Sequence, residues 1–325
     1  MNADRRPESG KGMVEIATGV YAFVSGSTDF GLSNAGLVLD GDEALVVDTL
    51  YDVNHAEEFR TAIEPLAGTE SIRYVFNTHS DGDHYFGNQV FPSDTQIVAT
   101  EAADAAMTQE QAELTARVFD DSRHPDSPLH PLAQLARPFD FHQVRVRSAD
   151  ITFSGQQTLT VGRLDVELHE LGPAHTVGDA IAFLPTHRIL FAGDLLTRDI
   201  VKVVWSGSIT NWIAALETIR GFAADVVVPG HGPVLRGEEI TEALERGTAF
   251  WSSIYQSAAT YFDHGVPPEE AAARIDVSRY PEAALTLPTL IAVAYHDLDP
   301  ACEFASPLQT LEYMAAQIGH GHEAD

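Results

Sequence analysis

From Val14 to about Ile240, short apolar runs alternate with turn residues, the pattern of strands joined by tight connections. GVYAFVSG and NAGLVLDGDEALVVDT predict adjacent strands, the second stretch folding back at an Asp40-Gly41 hairpin signal. HAEEFRTAIEPL has helical spacing instead, with Ala56, Phe59, Ile63 and Leu66 on one side. SIRYVFNTH predicts a buried strand, TQIVAT another, and Glu101 opens a helical segment. Strands resume in DITFSGQQTLTVGRLDVELHEL, DAIAFLPTHRILFAGD and ADVVVPG, with a helix at NWIAALETIRGF before the last. Two strand-rich halves, each closed by a helix, predict an α/β fold of two sheets packed together under helices.

Two stretches break this rhythm. Residues 104–150 include DDSRHPDSPLHPLAQLARP, rich in proline, aspartate and histidine. This predicts an irregular surface excursion: a lid or insertion beside a site, or a packing surface for a second subunit. After Arg236 the periodicity turns helical, with Ile240, Leu244, Trp251, Ile254, Ala258 and Phe262 three to four apart, and Gly265 with Pro267-Pro268 as the stop. PPEEAAARI and LPTLIAVAYHDL predict further helices, and GHGHEAD a frayed tail carrying His320 and His322. The expected organisation is a loose tail over 1–13, an α/β domain over 14–236 and a helical extension packed on it over 237–325.

Composition narrows the function classes. Of 325 residues, 44% are hydrophobic and 21% charged, as in ordinary globular chains. No apolar stretch approaches the roughly 18 residues of a membrane span, so no membrane partner is expected. The polar start, Met1 to Gly12, lacks an apolar signal core, which makes a cytoplasmic location the expectation. Cys302 is the single cysteine and reads as a small buried side chain. A formal net charge of −29 repels phosphate backbones and argues against nucleic acid. The expected partners are a small-molecule substrate and a second copy in a homodimer.

The chemistry gathers at strand ends. In NTHSDGDHYFGN, four side chains able to bind metal, His79, Asp81, Asp83 and His84, stand within six positions after the run Tyr74-Val75-Phe76. GPAHTVGD offers His175, LFAGDLL offers Asp194 and VVVPGHGPV offers His231, each after a predicted strand. Neighbouring glycines permit the sharp turns such loops need. Any one of these is an ordinary loop residue, but all four loops in this order point to a metal site. With no G-x-S-x-G elbow, Cys-His pair or P-loop in the chain, water activated by metal is the expected nucleophile.

These motifs resemble the metallo-β-lactamase superfamily, whose signature is H-x-H-x-D-H followed by a His, an Asp and a His on later loops. The resemblance runs from about Val14 to Arg236. It implies an αββα sandwich with two divalent metal ions along one sheet edge, zinc being the first expectation. By position it assigns His79 and His175 to the first metal and Asp83, His84 and His231 to the second, with Asp194 bridging. One position departs: Asp81 replaces the second histidine, giving H-x-D-x-D-H. Aspartate is shorter than histidine and adds a hard, charged oxygen, which shifts preference toward iron or manganese. Asp81 is expected either to ligate the first metal or to support its ligands from behind.

The resemblance implies hydrolysis of an ester, thioester, lactone or amide, with Asp194 and Asp83 as the catalytic carboxylates. A narrower likeness in NTHSDGDHYFGNQ, VVWSGSITNWIAALETI and GVPPEEAAARIDVSRY is to bacterial members similar to cyclases of aromatic polyketide pathways. There the metals activate carbonyls for ring closure or thioester release, and Phe30, Trp205 and Trp212 could meet a flat substrate. Flavodiiron proteins carry H-x-E-x-D-H, so a di-iron redox enzyme with an external electron donor is a third expectation. Arg123, His124 and His130 from the 104–150 stretch are candidate substrate contacts.

Overall fold

The computed structural model describes residues 11–26, 29–197, 201 and 203–322. Seven strands form one sheet in chain order: β1 (Gly12–Ala17), β2 (Val20–Val24), β3 (Ala35–Asp40), β4 (Glu43–Val47), β5 (Ile72–Phe76), β6 (Gln96–Thr100) and β7 (Ile151–Phe153). β1 to β4 pair antiparallel, and β4 to β7 pair parallel. Asp40 faces Glu43 across the predicted hairpin, where Gly41 takes the left-handed φ of +64° that the turn requires. The second sheet also joins chain neighbours: β8 (Gln156–Val161), β9 (Leu164–Glu170), β10 (Ala180–Leu184), β11 (Ile189–Gly193), β12 (Val226–Pro229) and β13 (Leu235–Arg236).

The sheets stack through Val38, Leu45 and Phe76 on one side and Leu168, Phe191 and Val228 on the other. α1 (Val53–Ile63) covers the first sheet's outer face with Phe59 and Ile63. α6 (Ile209–Gly221), α7 (Glu238–Phe262) and α9 (Leu287–Leu298) cover the second. Every residue of β10 and β11 is buried because both faces are covered: Ala182 and Phe191 meet the other sheet, Ile181 and Leu190 the helices. This is the expected αββα sandwich, and its second helical layer shares one core with helices beyond Arg236. No helix of the described residues is long and apolar enough to cross a membrane.

Several expectations need correcting. Gly12 and Met13, assigned to a loose tail, already pair with Val24 and Phe23. The 104–150 stretch is helical in large part. α3 (Glu101–Ala106) runs into α4 (Gln109–Ser122), whose first turn is capped by the Thr108 hydroxyl, and α5 (Ala133–Ala136) follows. Phe119, Phe139 and Phe141 from this stretch pack on Tyr51 and Phe86, so it is a packed layer rather than a surface excursion. α2 (Gly82–Tyr85) lies in the histidine motif, and α8 (Pro268–Ala272) is shorter than its sequence suggested. The expected frayed tail starts inside a helix: α10 (Pro307–His322) packs Leu311, Met314 and Ala315 on Leu129 and Leu132 and runs on to His322, while 323–325 lie outside the described residues. Cys302 is only partly buried, against the second-sheet core.

Trp251 on α7 is 1% exposed and lies 4.4 Å from the Trp212 ring on α6, between two helices of that layer. Trp251→Ala is expected to destabilise the fold by about 3–5 kcal/mol through lost burial and an unfilled cavity. A urea midpoint equal to that of the unaltered protein would show that α7 is not part of the cooperative core.

Candidate metal centre

Both sheets aim strand ends at one point. His79 follows β5, and Asp83 and His84 sit on α2; His175 follows β9, Asp194 follows β11 and His231 follows β12. The two sets of loops are bonded to each other. Asn34, just before β3, donates its side-chain amide to the carbonyls of Pro229 and Gly232, and the Ala180 amide donates to the Thr78 carbonyl at 2.8 Å. Gly230 has no room for a side chain, since a Cβ there would stand 1.9 Å from Asp194 Oδ1. These links hold the ligand-type side chains to a scaffold rather than to free loops.

The side chains form two clusters, His79 with His175 and Asp194, and Asp83 with His84 and His231; within each, the donor atoms lie no more than 4.8 Å apart. Asp194 stands between them. Its Oδ1 is 3.2 Å from His84 Nε2, and its Oδ2 is 3.4 Å from His231 Nε2 and 3.7 Å from His175 Nε2. Asp83 Oδ2 lies 3.1 Å from His231 Nε2.

Each imidazole is held from behind through Nδ1. His175 Nδ1 meets the Val203 carbonyl at 2.9 Å, His231 Nδ1 the Leu32 carbonyl at 3.2 Å and His84 Nδ1 the Asp48 carboxylate at 2.8 Å. His79 Nδ1 lies 2.8 Å from the Thr78 hydroxyl, which spends its own proton on Asp48 Oδ2. All four partners can only accept, so each Nδ1 donates, and a neutral ring must point its Nε2 lone pair inward. Nε2 of His79, His84 and His175, with Asp194 Oδ1, are buried without a well-formed hydrogen bond, although His84 Nε2 and Asp194 Oδ1 lie 3.2 Å apart and would pair if that ring carried a second proton. Unpaired buried polar atoms cost about 1–3 kcal/mol each, and a cation among them would supply the missing partner. The donor set of nitrogen and oxygen fits zinc, iron or manganese.

Charge tunes the same groups. Burial and the neighbouring His84 push His79 well below the usual imidazole range. Burial would lower His84 too, but Asp83, Asp48 and Asp194 outweigh it and raise it well above that range. The same contest lifts His175 to about 9, through Asp81 and Asp194, and His231 to about 10, through Asp194 and Asp83. Asp194 is buried, yet His231 and His84 hold its carboxyl well below the usual value. Without metal, then, the carboxylates favour a second proton on His84, His175 and His231.

Asp81 belongs to neither three-residue cluster. Its Oδ1 accepts from the Gly82 amide at 2.8 Å; its Oδ2 accepts from the Trp205 indole at 2.6 Å and lies 3.5 Å from His175 Nε2. Two residues escaped the sequence reading. Asp48, at a strained φ of +60° after β4, accepts from the Thr78 amide, the Thr78 hydroxyl and His84. Asp179 accepts from the Ala174 and Thr176 amides and the Thr176 hydroxyl, and so shapes the His175 loop. Both follow apolar or glycine-rich runs like the ligands themselves, which was the available signal.

A cavity of about 250 Å³ opens on the clusters. Phe30, Trp205 and Trp212 line it as expected, joined by Leu135, Leu285 and Met314. Trp212 is 2% exposed and donates to the Leu195 carbonyl, so it presents little more than a ring edge. His124 is exposed beyond α4 and does not line the cavity. Arg123 donates to the Phe139 carbonyl and His130 meets the Ser122 carbonyl, so the 104–150 stretch offers the cavity Leu135 rather than its basic residues.

Metal must displace the protons held on His175 and His231. Zinc uptake by metal-free protein at neutral pH is therefore expected to release protons, with affinity rising as pH climbs toward about 9 and 10, where these rings deprotonate. Calorimetry in buffers of different ionisation enthalpy reads this directly, and an affinity unchanged between pH 7 and 9 would contradict it.

Known proteins match both the sequence and the fold. The chain is 24% identical over 259 residues to a linear primary-alkylsulfatase of Pseudomonas sp. (strain ATCC 19151), covering 71% of this chain and 47% of that protein. It thus spans about half the length of this curated relative. The fold is similar to the stereoselective inverting sec-alkylsulfatase Pisa1 from Pseudomonas sp., with a TM-score of 0.66 and 14% identity over 97% of this chain and 57% of that one. A metallo-beta-lactamase from Pontibacter korlensis matches with a TM-score of 0.50 and 22% identity, over 72% of this chain and 96% of that one. The family model of the metallo-beta-lactamase superfamily matches residues 28–231, and the chain belongs to that superfamily.

Proposed function

We propose that the chain is a hydrolase acting through two divalent metal ions on an ester-type carbonyl bond that carries an apolar or aromatic group. The observation behind this reading is the convergence of buried, unpartnered imidazole nitrogens and Asp194 Oδ1 at the floor of a partly apolar cavity. His79, His175 and Asp194 would hold one ion and Asp83, His84 and His231 the other, with Asp194 shared. Bound there, such ions polarise a carbonyl and lower the pKa of a coordinated water from about 15.7 to about 7. Asp194 and Asp83, both held below the usual carboxyl range by the imidazoles around them, would accept a hydrogen bond from the attacking water and orient it. Phe30, Trp205, Leu135, Leu285 and Met314 would cover the apolar part of the substrate, at about 25 cal/mol per Å² of apolar surface buried, and exclude bulk water.

A second reading, hydrolysis of an alkyl sulfate ester, is favoured by the alkylsulfatases among the similar proteins. It would use the same water and the same apolar wall. We place it second because Asp29, Asp81, Asp83 and Asp194 line the cavity and would offset much of the positive charge of two bound ions, which weakens the pull on a sulfate more than on a neutral ester.

Metal-replete protein is expected to turn over p-nitrophenyl butyrate or an aromatic thioester faster than p-nitrophenyl sulfate or dodecyl sulfate. Chelation and Asp194→Ala should each lower that turnover at least about 100-fold. Undiminished turnover in chelated, metal-free protein would sink the proposal, and a reversed substrate order would put the sulfate ester first.

A further inference from the structure

We propose that Trp205 is a positioning residue for the first metal cluster, acting through Asp81. This rests on the proposed two-metal centre but concerns a contact between side chains that are 124 positions apart in the chain. Asp81 stands where a histidine would reach further, so a carboxylate there can face the cluster only if something fixes its orientation. Two donors do so. The Gly82 amide takes Oδ1, and the Trp205 indole takes Oδ2 at 2.6 Å, a short bond of the kind a charged acceptor makes. The second lone pair of Oδ2 is left toward His175 Nε2, 3.5 Å away.

The indole is a fixed donor because its own backbone is laced to the His175 loop. The Trp205 amide donates to the His175 carbonyl at 2.9 Å and the Ser208 amide to the Ala174 carbonyl at 3.1 Å, while the His175 ring is held by the Val203 carbonyl. Gly207 lies so close to this loop that a Cβ there would stand 1.8 Å from the Ala174 carbonyl oxygen. Trp205 therefore moves with His175, and its N–H carries that position across to Asp81 on the other sheet's loop. The same ring lines the cavity, so whatever presses on it there also presses on the first cluster. Asp83, His84 and His231 have no bond to Trp205, and the second cluster should be indifferent to it.

The test is metal titration against a chromophoric chelator, on full-length protein with zinc alone. Trp205→Phe keeps most of the ring and removes the donor. It is expected to weaken one of two equivalents about 10-fold to 100-fold and leave the other unchanged. In an Asp81→Ala background the same substitution should change affinity by less than about 2-fold, because its route is already gone. Two equivalents at unaltered affinity in Trp205→Phe would overturn the inference, as would an equal loss in both backgrounds. Should Trp205→Phe fail to fold, indole 1H–15N spectra of protein with Trp205 intact still decide the matter. The chain has three tryptophans, and Asp81→Ala must shift the Trp205 indole resonance upfield; an unmoved resonance would end the proposal. If the unaltered protein binds no metal while that resonance shifts, the hydrolase reading fails and the Asp81–Trp205 contact stands alone.

Discussion

The fold turns on one constraint, that four imidazoles must be buried together with their Nε2 atoms facing each other. Left to themselves such rings would turn to find partners or stay in water. Here each is pinned through Nδ1 by a group that can only accept, so the inward face is fixed before anything binds. Three of the four acceptors belong to the scaffold's own turns: Leu32 before β3, Thr78 after β5 and Val203 ahead of α6. The fourth, Asp48, serves His84 and the Thr78 hydroxyl at once, so it orients one imidazole directly and a second through Thr78. A residue with this many obligations can hold a φ of +60° because the bonds around it over-determine its position.

The sandwich and its additions divide the labour. Strand ends of the two sheets supply the polar donors, and packing between Val38, Phe76, Leu168 and Phe191 keeps those ends in register. The cavity's apolar wall comes largely from elsewhere: Leu135 follows α4, Leu285 precedes α9 and Met314 lies on α10. Leu285 and Met314, outside the superfamily match at 28–231, therefore reach the site, and specificity can change there without disturbing the donors. The Trp212–Trp251 contact joins these regions, since Trp212 also stacks edge-on against His175 at 5.6 Å.

Much of this was legible in the chain. The continuous apolar runs around Val38 and Leu45 and at Ala180–Leu184 and Ile189–Gly193 marked strands because burial on both faces leaves that pattern. The donors were legible because each follows such a run beside a glycine. α4 was not, since QEQAELTARVFDDS buries only Ala112, Val118, Phe119 and Ser122, too sparse a stripe to stand out among polar residues. α10 was masked by its histidine-rich end, although Leu311, Met314, Ala315 and Ile318 hold helical spacing. Asp48 and Asp179 spend their oxygens on neighbouring amides and side chains, a role that no spacing announces. His124 illustrates the reverse error, a residue of suitable type on a stretch whose apolar side, not its basic one, faces the cavity.

Asp81 adds negative charge on the His175 side of the centre, while Asp83 and Asp194 act on His84 and His231. In the proposed two-metal centre, two divalent ions would bring four positive charges, and Asp83 and Asp194, with Asp81 beside them, would return three, leaving a net of about +1; a neutral histidine at position 81 would leave about +2. The smaller surplus matters most where solvent is excluded, because there each charge is weakly screened. It would draw an anionic substrate less strongly, while a neutral carbonyl would still find a cation to polarise its oxygen. The Trp205 indole donates to Oδ2, so the departure from the family motif and the tryptophan beside it are joined by one hydrogen bond. On the proposed reading, Asp81 would favour uncharged substrates by lowering the field, with no new contact to the substrate required.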